Sequence, residues 1–75
     1  MNKVTRQKIK EIVSELDKIS DKLEIIMNDE QDKFDNLSDG LQCSPTGEAI
    51  EEAIDFLNDG ISGVNTAIFE LKNIC

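Results

Sequence analysis

Residues 50–75 read IEEAIDFLNDGISGVNTAIFELKNIC, and the spacing of their apolar side chains decides the fold. Ile50, Ile54, Leu57, Ile61, Val64, Ile68, Leu71 and Cys75 follow one another at alternating steps of four and three. On a helix such steps return to one side, whereas a half-buried strand needs alternation by two. In heptad terms Ile54, Ile61, Ile68 and Cys75 take the a positions and Ile50, Leu57, Val64 and Leu71 the d positions. The segment is predicted to be an amphipathic helix with one continuous apolar seam.

Immediately upstream, residues 36–47 read NLSDGLQCSPTG. Asn, Asp, Gly and Pro gather here, which marks a connection. Ser44 followed by Pro45 reads as N-cap and first helical residue, where the missing proline N–H costs nothing. Thr46 competes for the cap, and Glu48, Glu51 and Glu52 sit near the positive end of the helix dipole. Gly40 is the residue of the loop interior best suited to a left-handed backbone.

A second apolar run lies further upstream: Ile9, Ile12, Leu16, Ile19, Leu23, Ile26. It sets Ile9, Leu16 and Leu23 at a, with Ile12, Ile19 and Ile26 at d. After Ile26 the pattern fails, since Glu30 and Lys33 take the next two seam slots. Met27 and Phe34 carry the stripe one position round, the drift of a straight helix against a seven-residue repeat, and Leu37 closes the run. The expectation is an all-α chain with one domain over 1–75: a helix over about 3–36, a turn over about 37–44 and a helix over about 45–73. Folded as an antiparallel hairpin, the runs pair Ile9 with Leu71, Ile12 with Ile68, Leu16 with Val64, Ile19 with Ile61, Leu23 with Leu57 and Ile26 with Ile54. Every pair is centred on Gly40, and a slip of seven residues is the main competitor.

At 75 residues a single core barely offsets chain entropy, so disulfides, a metal or oligomerisation should supplement it. Cys43 and Cys75 allow one bridge at most, and the hairpin holds them about a helix length apart, beyond disulfide reach. With no histidine and two distant cysteines there is no zinc set, so no metal and no cofactor is expected. Oligomerisation is what is left. A second face of the later helix supports it: Ala49, Ala53, Phe56, Gly60, Gly63 and Ala67 also step by four and three. Two glycines inside a helix cost ~1 kcal/mol each against alanine, and close approach of another backbone is the usual compensation. Phe69, on the other side, and Ile25 lie off the seam as well. A dimer forming a four-helix bundle, or a higher homo-oligomer, would bury these residues.

The formal charge is −8. Residues 1–27 carry six Lys/Arg against five acids, and residues 28–75 carry two lysines against eleven acids. Direct nucleic-acid binding needs a basic surface and is not expected. A basic protein partner, or imitation of a nucleic acid, fits the sign better. No apolar run approaches the ~20 residues of a membrane span. Met1 leads straight into polar, helix-compatible sequence, so the cytoplasm is the expected compartment. A calcium-loop alignment on Gly40 puts Asp35 at position 1 but Leu37 and Thr46 at positions that need oxygen ligands. Without histidine or tyrosine, and with no glycine-rich phosphate loop, the chain is not expected to be an enzyme.

The stretches EQDKFDNL at 30–37, Leu41-Gln42, and GEAIEEAID at 47–55 resemble a group of small acidic helical proteins of bacteriophages and mobile elements. These typically carry E-Q-x-x-[FY]-D-N-[LM]-P, a linker with L-Q, then R-G-E-x-x-E-E-A-[IV]-D. The likeness covers about a third of the chain; it departs at Ser38, where proline is usual, at Thr46, where arginine is usual, and at Gly60 and Gly63. It implies an accessory role on a mobile element and assigns no activity. Two functions follow as expectations. One is a self-associating interaction module that offers an acidic surface to a protein partner. The other is an inhibitor of a host defence or nucleic-acid-handling protein, acting by acidic mimicry of nucleic acid.

Overall fold

A computed structural model describes residues 1–74, and these form helices and short connections with no strand. Helix α1 spans Lys3–Asp35, the single turn α2 spans Asp39–Gln42, and α3 spans Pro45–Lys72. α1 and α3 pack side by side along their length, giving a rod of 58 × 14 × 12 Å. Its radius of gyration is 17.1 Å, against about 11 Å for a compact chain of this size.

Each helix begins where a short polar side chain can accept a backbone N–H. Asn2 caps α1 through Thr5 N at 2.9 Å, and Ser38 caps α2 through Leu41 N. Ser44 caps α3 through Gly47 N, with Pro45 opening the helix, as the Ser-Pro pair predicts. Ser44 Oγ also donates to the Leu41 carbonyl, so one hydroxyl ends α2 and starts α3. Gln42 Nε2 donates to the Phe34 carbonyl at 3.1 Å, pinning the connection to the last turn of α1.

The connection differs from the expected turn in two ways. Part of it is helical, and no described glycine has a positive φ, so Gly40 lies in α2 and not in a left-handed bend. The reversal is achieved by two capped helix starts in quick succession. The glycine that matters is Gly47, which is buried. A Cβ there would lie 2.2 Å from the Gln42 carbonyl oxygen and 2.5 Å from that of Leu41. Only a glycine lets α3 start this close beneath α2.

On α3 the buried and half-buried residues are Gly47, Ile50, Ile54, Leu57, Ile61, Val64, Ile68 and Leu71, the expected seam; Cys75 lies outside the described residues. On α1 the seam is corrected. Ile9, Leu16 and Leu23 turn inward as expected, but their companions are Val13, Ser20, Met27 and Phe34. Ile12, Ile19 and Ile26 are left 50%, 45% and 49% exposed. The one-position shift expected beyond Ile26 therefore holds from Val13 onward. Its cause is the width of the α1 stripe: it spans three rows, and a contact with a single helix buries two.

The most buried residues are Val13 and Ser20 on α1 and Ile61 and Ile68 on α3. Antiparallel layering sets Val13 by Ile68 and Ser20 by Ile61, where Ile12 and Ile19 were expected. Ser20 Oγ bonds Asn65 Oδ1 at 2.8 Å across the interface. Helical side chains lean toward their own N-termini, so this bond joins residues one turn apart in level. A slip of seven residues would part them by about 10 Å.

Candidate interaction surface

The two helices leave the hairpin with unlike broad sides. Going round α1, the row Ile12, Ile19, Ile26 is followed by Ile9, Leu16, Leu23, then Val13, Ser20, Met27, then Lys10, Asp17, Glu24. Going round α3 in the same sense, Ala53, Gly60, Ala67 precede the two buried rows, and Glu51, Asn58, Asn65 follow them. Helices of one hand packed antiparallel bring first row beside first row and last beside last. The Ser20–Asn65 bond marks the polar side. The isoleucine row and the Ala53, Gly60, Ala67 row therefore share the other.

On this apolar side, Ile12 stands within about half a turn of the level of Ala67, Ile19 of Gly60 and Ile26 of Ala53. A ridge of isoleucines runs beside a shallow strip of small residues. All six are exposed in the hairpin, as are Ala49, Phe56 and Gly63 one row further round α3. Phe56 is 67% exposed. On α1 the isoleucine row ends in Lys33, which forms an ion pair with Glu30 at 2.7 Å. The Glu30 hydrogen bond, then its charge, raise the Lys33 ammonium above its ordinary value of 10.5.

Of the residues expected to form a partner face, Ala49, Ala53, Phe56, Gly60, Gly63 and Ala67 thus lie together. Phe69, also 67% exposed, is on the polar side and does not join them. The isoleucine row lies beside them, although the heptad pattern assigns those three residues to the core. The detectable signal was the surplus of a third apolar row on α1. A cavity at either glycine is not formed: a Cβ at Gly60 or Gly63 meets nothing within 4 Å.

The opposite side is acidic near the connection. Asp17, Asp21, Glu24, Asp35, Glu48, Glu51 and Asp55 fall on its rows, and the lysines of those rows, Lys3, Lys10 and Lys72, lie toward the far end of the rod. Basic residues collect instead along the first turns of α1, where Lys3, Arg6, Lys8 and Lys10 line a shallow groove with Val4, Gln7 and Glu11. Among the described residues no group of three Cys, Asp or Glu side chains is placed to hold a metal ion, and no helix is long and apolar enough to cross a membrane. Cys43 is exposed and unbridged.

Comparison with protein families, with curated proteins and with solved structures finds no match to this chain.

Proposed function

We propose that this chain is a non-enzymatic interaction protein: a helical hairpin that self-associates through its apolar side into a four-helix bundle and offers its acidic side to a basic protein partner. One observation carries the reading. α1 buries a serine at Ser20 while leaving Ile12, Ile19 and Ile26 half exposed. If the lone hairpin were the working unit, a small rotation of α1 would bury three isoleucines in place of Val13, Ser20 and Met27. The observed setting suits a helix with two contacts, one to α3 and one to a further chain.

Surface area supports the same conclusion. The hairpin exposes 5491 Å², whereas a folded monomer of 8.4 kDa exposes about 4600 Å². The excess, about 900 Å², is surface that a thin two-helix rod leaves open and that association would reduce. Among the described residues no side chain is fully enclosed, and the buried apolar core is Val13, Ile61 and Ile68. In the bundle the carboxylates from Asp17 to Asp55 face outward, where a lysine- or arginine-rich surface would meet them. The mobile-element accessory role belongs to this proposal too, on the strength of the sequence likeness alone.

Sedimentation at micromolar concentration tests the self-association. A dimer or higher oligomer is expected, dissociating when Ile12, Ile19 and Ile26 are replaced together by serine. A folded wild-type chain that sediments as a monomer at that concentration would overturn it.

A further inference from the structure

We infer that the second copy docks apolar side to apolar side about a two-fold axis perpendicular to the rod, so that the two connections lie at opposite ends of the bundle. This rests on the self-association proposed above and adds its symmetry. Two axes can bring the apolar sides together. One runs parallel to the helices and sets α1 of one copy against α3 of the other, connection beside connection. The other is perpendicular and sets α1 against α1 and α3 against α3, each pair antiparallel.

Charge separates the two. Residues 28–55 carry nine carboxylates against Lys33 alone, while the rest of the chain carries seven charges of each sign. The parallel axis stacks the two acidic halves on each other. The perpendicular axis lays each acidic half beside a neutral one.

The rim of the face agrees. Just outside the isoleucine row on α1, Lys8, Glu15, Lys22 and Asp29 follow at seven-residue steps with alternating sign. A perpendicular axis through the level of Ile19 sets Lys8 across from Asp29 of the second copy and Glu15 across from its Lys22. The same axis pairs Ile12 with Ile26 and Ile19 with itself. On α3 this level falls between Gly60 and Gly63, so each glycine meets the other in the second copy and the backbones can close up. Phe56 then covers Ala67. The pairings on the two helices fall on one axis, although the positions on α1 and α3 were set by different residues.

The exposed thiol of Cys43 reports the axis directly. In a Cys75→Ser chain carrying a spin label on Cys43, electron–electron dipolar spectroscopy should give a separation beyond about 40 Å, since the α-helical rods overlap end for end. A dimer with labels closer than about 25 Å would overturn the perpendicular axis and leave self-association standing. A monomer by sedimentation would remove both. As an independent readout, Lys22→Glu should weaken dimerisation about tenfold by turning two rim attractions into repulsions. Adding Glu15→Lys should restore it, and a double variant no tighter than the single one would overturn the pairing.

Discussion

Replacing Gly47 with alanine tests whether the start of α3 is as tightly fitted as the structure indicates. The new methyl carbon would lie 2.2 Å from the Gln42 oxygen, 2.5 Å from the Leu41 oxygen and 2.6 Å from the Gln42 carbonyl carbon. A carbon–oxygen contact needs about 3.3 Å, so backbone must retreat by about 1 Å. Both obstructing atoms are main-chain carbonyls, which no rotamer change relieves. The retreat pulls on the Gln42–Phe34 bond of 3.1 Å and on the Ser44 cap. Strain of this kind costs ~1–3 kcal/mol, and losing one hydrogen bond adds ~1 kcal/mol. Alanine's helix propensity returns at most ~1 kcal/mol. The net is about 2 kcal/mol, or a fall in Tm of about 10 °C for a chain of this length. Thermal unfolding followed by helical circular dichroism, at one fixed protein concentration, reads it. Gly60→Ala and Gly63→Ala are the controls, because neither new Cβ meets anything within 4 Å of the hairpin. At dilutions where the chain is monomeric each should raise stability by ~1 kcal/mol. A Gly47→Ala chain that melts at or above the wild type would refute the close approach of α2 and α3.

Other outcomes follow from single contacts. Ser44→Ala removes both the α3 cap and the hydroxyl that closes α2, and should cost ~1–2 kcal/mol in urea unfolding, with Ser44→Thr largely preserving stability. Ser20→Ala and Asn65→Ala, combined in a double-mutant cycle, should reveal a coupling of ~0.5–1.5 kcal/mol; additive losses would mean that the 2.8 Å contact contributes nothing. Lys33, held charged chiefly by the Glu30 hydrogen bond, should titrate above 10.5 by NMR of its side chain. Because its folded value is raised, the small stabilisation from this pair is present below about pH 10.5 and fades as the pH rises through that higher value. Glu30→Gln should bring the titration back toward the ordinary value, and an unchanged titration would detach Lys33 from Glu30.

Periodicity sufficed wherever the apolar pattern offered a single solution. From Ile50 to Leu71 the stripe is two rows wide, so the seven-residue repeat names both the helix and its buried side. The Ser44-Pro45 start was legible for a similar reason, since capping is decided within a few residues. On α1 the stripe is three rows wide, and Ile9, Leu16 and Leu23 belong to either of two seams. A repeat gives the period of a helix but not its rotation about its own axis. Packing against α3 decided that rotation, admitting Val13 and Ser20 and turning Ile12, Ile19 and Ile26 outward. The same limit hid the role of Gly47 while drawing attention to Gly60 and Gly63. A glycine's need for space depends on how near another stretch of backbone comes. At Gly47 that is set by α2 folding onto the start of α3, a distance that exists only once the chain has turned back on itself.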